Sequence, residues 1–223
     1  MKQGWIYLSH MLGSTTPGYG GRKDFEATHN RCMSKGDTCN QLNIKMSNHV
    51  GTHIDLPYHF DATGKKLEDY ECSFWFFHQV EVLHLSVQAD ELILPSMVSV
   101  KNPDVDFLIL KTGFERFRSE DVFWNANPGL SAELGTFLRS HFKNLRAIGF
   151  DCISATSFKN KEQGRLAHQA FLGSGEGSPI LIVEDMKLAG LTHGTKLAQV
   201  HIAPLLVEAA DGVPVTISAQ IGF

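Results

Sequence analysis

His49-Val50-Gly51-Thr52-His53-Ile54-Asp55-Leu56-Pro57-Tyr58-His59 brings three imidazoles and a carboxylate into eleven consecutive residues. Gly51 and Pro57 work against a continuous helix here. No Glu follows His49, so the helical zinc-protease pattern is also excluded. Extended chain is the reading that remains. Side chains alternate between the faces of a strand. His49, Gly51, His53, Asp55, Pro57 and His59 therefore share one polar face, while Val50, Ile54 and Leu56 take the other. Nitrogen and carboxylate donors together suit a borderline or hard divalent ion, and one histidine is left over for proton transfer. A lone histidine in a chain holding 11 of them is ordinarily a hydrogen-bonded residue. Three with an aspartate on one parity read as a metal site.

Strand-like and helical segments alternate on either side of this stretch, with no linker, internal repeat or low-complexity tract. Expected strands are Ile6–Leu8, Leu42–Met46, Phe77–Leu85, Phe107–Lys111, Ala147–Asp151, Ile180–Glu184 and part of Leu205–Ile217. Phe107-Leu108-Ile109-Leu110 and Ile180-Leu181-Ile182-Val183 are apolar on both faces, as central covered strands are. Ser131 is placed to cap a helix on which Leu134, Phe137, Leu138 and Phe142 recur at helical spacing. A second helix covers Leu166–Leu172 and stops at Gly173. The pattern is that of an α/β fold. Asp151 and Glu184 fall at strand ends, where α/β proteins gather polar site residues. Thr112 and Gly113 follow another central strand and either line the same pocket or form a simple turn.

At 223 residues the chain is long enough to bury a substantial core, and we treat residues 1–223 as one domain. Its 43% hydrophobic and 20% charged content is ordinary for a globular protein. A net charge of −4 gives no basic footprint for nucleic acid. No apolar run is long enough to span a bilayer, and Met1-Lys2-Gln3-Gly4-Trp5 lacks the apolar core of a secretory signal. A cytoplasmic protein acting on a small molecule, without nucleic-acid or membrane partners, is expected. Cys32, Cys39, Cys72 and Cys152 show no Cys-x-x-Cys spacing, and Cys152 reads as a buried inert thiol.

The segments Tyr7-Leu8-Ser9-His10, Thr16-Pro17-Gly18-Tyr19-Gly20-Gly21, Lys111-Thr112-Gly113-Phe114, Ile148-Gly149-Phe150-Asp151-Cys152-Ile153-Ser154, Ala167-His168-Gln169-Ala170-Phe171-Leu172-Gly173 and Ile182-Val183-Glu184 stand in order around the central motif. Together with it they resemble the metal-dependent cyclase/hydrolase family, which includes bacterial kynurenine formamidase (arylformamidase) and isatin hydrolase. The resemblance implies a swivelling β/β/α architecture. It implies that His49, His53 and Asp55 bind one metal, that Asp55 bridges to a second held by His168 and Glu184, and that His59 is the proton donor and acceptor. From the sequence alone, His168 and Glu184 are equally readable as ordinary polar residues. His59 is likewise readable as a fourth ligand or as a group orienting Asp55. The implied cofactor is Zn2+, alternatively Mn2+, with one or two ions per subunit, and the implied assembly is a homodimer or homotetramer.

The implied reaction is hydrolysis of an amide-type bond in a small aromatic or cyclic substrate. Lactone or ester hydrolysis and isatin-type ring opening are close variants. A catalytically silent metal-binding scaffold is the alternative from another class, though such a scaffold needs no spare proton shuttle. Two departures stand out. Tyr19 occupies the position of a substrate-contacting Trp, followed by Gly20 in place of a proline, which keeps a stacking surface but shrinks and loosens it. Ser174-Gly175-Glu176-Gly177-Ser178 lengthens the path from His168 to Glu184 and is expected as a surface loop. Phe25, His29, Phe74 and Trp75 are further pocket-wall candidates, each also readable as a packing residue.

Overall fold

The two-sided apolar runs form interior strands of one large sheet. The computed structural model describes residues 4–222, and the reading of the N-terminus rests on Met1, Lys2 and Gln3, which lie outside them. Along the chain come β1 (Trp5–Tyr7), β2 (Phe25–Arg31), β3 (Gln41–Met46), β4 (His53–Asp55), β5 (Phe76–Phe77), β6 (Val80–His84), β7 (Leu92–Ile93) and β8 (Phe107–Lys111). They are followed by α1 (Asp121–Asn125), β9 (Gly129–Leu130), α2 (Ala132–His141), β10 (Ala147–Phe150), α3 (Lys161–Leu172), β11 (Leu181–Glu184), β12 (Leu197–Pro204) and β13 (Gly212–Ile221). A nine-stranded sheet runs in the order β5-β12-β13-β4-β11-β10-β8-β6, with β1 added on β13. The pairs β6/β8, β8/β10 and β10/β11 are parallel, and β4 pairs antiparallel with β11 and β13. The end strands β5 and β6 are separated in the chain only by His78 and Gln79, so the sheet nearly closes on itself. The mixed α/β expectation holds.

α2 and α3 pack against each other, and α3 packs against β11. Ser131 caps α2 as expected, its Oγ accepting the Leu134 N–H at 3.2 Å. α3 begins at Lys161, one turn or more before the expected Leu166, because the apolar face only becomes continuous further along. That face buries Gly164, Ala167, Phe171 and Leu172, and His168 lies among them. Arg139 of α2 donates to the carbonyls of Ala170, Gly173 and Gly177 at 2.9, 2.9 and 2.7 Å. It thereby ties down the exposed Ser174–Ser178 loop, which is the surface loop expected there.

The expectation of strand in part of Leu205–Ile217 holds: β12 ends at Pro204, the chain turns, and β13 starts at Gly212. The turn includes Ala209 at φ 58° and the Asp211-Gly212 pair, both signs of chain reversal. Leu42–Met46 forms the expected strand; among the described residues it pairs with β2 alone, and Leu42 and Ile44 face outward. Leu42 is 47% and Ile44 56% exposed.

Candidate functional site

The histidine-rich motif is extended only over β4. Before it, Gly51 takes φ 64°, a left-handed turn that reverses the direction of His49. After it, Pro57 opens a 3-10 turn over Pro57–His59. The expected single polar strand face is therefore corrected to a strand flanked by two turns, and the turns fold His49 and His59 back over His53 and Asp55. The rings of His49 and His59 lie 4.2 Å apart, and those of His49 and His53 5.3 Å apart. Register supplies the next ligand candidate. Glu184 of β11 stands opposite His53 of β4, on the same face of the sheet. α3 then presents His168 over both carboxylates.

All six residues named from the sequence thus meet around Asp55, which is 1% exposed. Asp55 Oδ1 lies 2.8 Å from His49 Nδ1 and 3.5 Å from His53 Nε2, and Oδ2 lies 3.4 Å from His168 Nε2. Glu184 Oε2 is 3.3 Å from His53 Nε2, and Oε1 is 3.6 Å from His168 Nε2. Two ligand sets, His49/Asp55/His59 and His53/Asp55/Glu184, each bring one donor atom per residue within 4.8 Å of the others. Both sets share Asp55.

The outer contacts of these histidines are those a metal site needs. His53 Nδ1 and His168 Nδ1 each donate to a backbone carbonyl, Gly51 and Gly164, at 2.8 Å. A carbonyl accepts only from N–H, so both imidazoles are pinned with Nε2 turned toward the carboxylates. This is how proteins orient metal-ligating histidines. Phe60 stacks on His168, with centroids 4.6 Å apart, and fixes its ring plane. Glu184 Oε1 accepts the Ala155 N–H at 2.6 Å and the Ser154 hydroxyl at 3.2 Å. Behind Glu184, Arg118 grips Asp185 through two hydrogen bonds of 2.8 and 2.7 Å, holding the φ 51° turn that follows the strand. The buried donor set fits a divalent metal.

Protonation of the site follows from the same contacts. Burial opposes charge on His53 and His168, but Glu184 and Asp55 beside them outweigh it, pushing His53 up to about 9 and His168 up to about 10. A histidine whose folded pKa lies above its unfolded value of about 6.5 stabilises the fold fully below that value. The contribution is lost as pH rises through the folded pKa. Chelated protein is therefore expected to lose thermal stability as pH is raised from about 7 to about 10, in the window those two values set. A ligating metal takes the place of both protons, so metal-loaded protein should show a flatter profile. A chelated melting midpoint that stays constant or rises across that window contradicts the coupling.

The cavity over this cluster measures about 520 Å³ and is lined by Tyr19, Phe60, Arg22 and Lys161 as well as the ligand candidates. Tyr19 packs against Phe158, with centroids 5.5 Å apart, and its hydroxyl is buried without a protein partner. Burial and the charge of Glu184 push that phenol up to about 12, against the pull of Arg22. Gly20 does not loosen this wall. It sits at φ 68°, which proline cannot reach, and an added Cβ there would lie 2.7 Å from Phe158. The turn therefore seats Tyr19 closely.

Phe25, His29, Phe74 and Trp75 do not line the cavity: the first two belong to the outward β2–β3 hairpin, and the others pack around Tyr70 and Phe77. Asp151 is buried and accepts the N–H groups of Thr112 and Gly113 at 2.8 Å, so Thr112 and Gly113 form the simple turn. Cys152 is buried, and burial with the charge of Asp151 pushes its thiol well up, in line with an inert role. Sequence reasoning missed Phe60 and Asp211. Asp211 Oδ2 accepts from His59 Nδ1 at 2.7 Å and lies 3.0 Å from His49 Nε2. The Asp211-Gly212 pair is a turn signature in the sequence, and it is the signal that could have found Asp211.

A family model described as "Putative cyclase" matches residues 6–156, a span that holds the central motif but stops short of His168 and Glu184. The kynurenine formamidase of Geobacillus thermodenitrificans is 27% identical over 215 residues, covering 96% of each chain. That of Bacillus cereus is 28% identical over 211 residues, covering 95% of this chain and 94% of its own. Among solved structures, isatin hydrolase A from Labrenzia aggregata, bound to benzyl benzoate, superposes with a TM-score of 0.80 at 20% identity. It covers 98% of this chain and 94% of its own. A potential metal-dependent hydrolase with cyclase activity gives a TM-score of 0.74 at 17% identity, with both chains fully covered. At these identities the structural likeness speaks for the fold, and it extends the α/β reading to the swivelling arrangement expected from the sequence.

Proposed function

The chain belongs to the "Putative cyclase" family, and from that premise we propose that it is a metal-dependent hydrolase. Its proposed substrate is a small aromatic or cyclic molecule, cleaved at an amide-type C–N bond. The observation that carries this reading is the convergence of buried His53, Asp55, His168 and Glu184, two of them with Nδ1 pinned to a backbone carbonyl, next to the half-buried pair His49 and His59. We assign His49, His53 and Asp55 to one ion and Asp55, His168 and Glu184 to a second, with zinc as the first candidate and manganese as the alternative. What a divalent ion supplies in such a site is a water acidic enough to attack a carbonyl near neutral pH. Asp55 and Glu184 balance the charge, and His53 and His168 are held in the orientation that ligation needs. His59 takes the proton from the attacking water and returns it to the leaving nitrogen, work suited to an imidazole. Tyr19 and Phe60 offer flat apolar walls to a ring, while Arg22 and Lys161 at the mouth favour an acidic substituent on it.

The test is elemental analysis of purified protein together with a hydrolysis screen over formanilides, cyclic imides, isatin and lactones. Specificity is expected to depart from the formamidase relatives, because Tyr19 provides less stacking area than Trp. Native turnover of N-formylkynurenine should be weak, and Tyr19→Trp should raise it. Efficient native turnover, at a kcat/KM of roughly 10⁵ M⁻¹s⁻¹ or above, contradicts that account.

We propose further that the protein assembles as a homodimer or homotetramer. The two-stranded β2–β3 hairpin is uncovered on both faces, and such hairpins are marginal alone. Tyr7, Met11 and Leu206 are 67%, 92% and 82% exposed. Light scattering should give at least twice the 24.7 kDa of one chain. A fully active monomer at working concentration excludes the assembly. No helix among the described residues is long and apolar enough to cross a membrane.

A further inference from the structure

Asp211 enters the site from the turn before β13, and its backbone is fixed on two sides. Its carbonyl accepts the Leu56 N–H at 2.9 Å, and the next residue, Gly212, stands opposite Asp55 in the β13–β4 ladder. The carboxylate is fixed as well. Asn48 Nδ2 donates to Oδ1 at 2.6 Å and to the Gly212 carbonyl at 3.1 Å, which leaves Oδ2 for the histidines. Oδ2 then meets His59 Nδ1 at 2.7 Å and His49 Nε2 at 3.0 Å.

A carboxylate oxygen in contact with two imidazole nitrogens has a definite chemical meaning. An ionised carboxylate only accepts, so both nitrogens facing it carry hydrogen. His59 is thereby held as the Nδ1–H form, with Nε2 as its basic atom. His49 turns Nε2–H to Asp211 and Nδ1 to Asp55 Oδ1 at 2.8 Å, so without a metal both its nitrogens carry hydrogen, and a ligating ion would take the place of the Nδ1 proton. We propose that Asp211 is the positioning residue for this reaction. One carboxylate sets the tautomer and ring orientation of the proton-transferring His59 and also braces the ligand candidate His49 from behind. When His59 takes up a proton during turnover, the same carboxylate stabilises the imidazolium, as a buried aspartate does for a catalytic histidine elsewhere. Carboxylate support behind a ligating histidine is also a recurrent arrangement. Asp211 therefore ties the proton shuttle to the metal site. The assignment rests on the hydrolase reading for its catalytic half and on geometry alone for the tautomer.

The test has two arms. In zinc-loaded native protein labelled with 15N at histidine, long-range 1H–15N correlation should show His59 with the proton on Nδ1. An Nε2–H tautomer at His59 overturns the assignment without recourse to any variant or substrate. In the second arm, Asp211→Asn removes the charge. Its amide either offers N–H to His59, forcing the opposite tautomer, or faces its NH2 against Asn48. With saturating zinc, kcat should fall on the order of 10²–10⁴ with KM within a few-fold, the pattern of a lost transition-state interaction. Zinc affinity should weaken about 10–100-fold yet remain saturable. In a His59→Ala background the same substitution should change kcat by less than about threefold, since its effect passes through His59. Full additivity in the double variant, or unchanged kcat in Asp211→Asn, rejects the positioning role. If no amide, imide or lactone is turned over by native protein, the hydrolase reading fails, and the His59 tautomer still decides the structural half.

Discussion

His59→Ala is expected to keep its metal and its fold while losing on the order of 10²–10⁴ in kcat, the usual worth of a positioned acid–base group. The side chain sits on the 3-10 turn that Pro57 opens, with its ring against His49 and Phe60. It is about one-third exposed, at 29%, so truncation leaves no deep cavity. The four buried residues His53, Asp55, His168 and Glu184 do not depend on it for their contacts. The competing role is specific: His59 also falls within ligand reach of His49 and Asp55. Elemental analysis separates the two. Metal retained with activity lost makes His59 the shuttle. Metal lost in parallel with activity makes it a ligand, and the proton-transfer role falls. Restoration of part of the turnover by added imidazole is a further expected result, because a small base can enter the space the ring vacates.

The motif was legible because chain-local chemistry is written in the sequence. His53 and Asp55 keep the parity of a strand, and the two-sided apolar runs at Phe107–Leu110 and Leu181–Val183 form interior strands, paired on both edges, as their composition required. His168 and Glu184 were different. Nothing local marks His168, and Glu184 is marked only by its place at a strand end; the family pattern is what assigned both as ligands, and their meeting depends on the β11–β4 register and on the buried face of α3. Asp211 shows what neither route reached. It lies on the turn before β13, where no site motif marks it, and its role is defined by two side chains brought to it through the β13–β4 pairing. The β2–β3 hairpin marks a different limit. Alternating Leu42, Ile44 and Met46 signal a face to be covered, but periodicity does not say whether the cover belongs to the same chain.

Asp55→Ala is expected to abolish metal binding more completely than loss of any one histidine. Asp55 is the only residue common to both ligand sets, and it touches three of the imidazoles. Loss of an outer hydrogen-bond partner typically costs about 10–100-fold in metal affinity, and loss of a shared ligand should exceed that range. The protons of the site shift too. Asp55 is one of the two carboxylates that hold His53 and His168 above their ordinary range, so its removal lowers both and leaves Glu184 to face two weakened partners. Removing one member of a buried charged cluster is destabilising by about 3–5 kcal/mol, so Asp55→Asn should be measured beside Asp55→Ala. The amide keeps the shape of the side chain and preserves the fold, but it cannot bridge two cations. His49→Ala and His53→Ala should show intermediate occupancy, each removing a ligand from one set and leaving the other. Turnover should follow occupancy across the four variants. Full metal content in Asp55→Ala, or a histidine variant that binds less metal than Asp55→Ala, excludes a bridging carboxylate at the centre of this site.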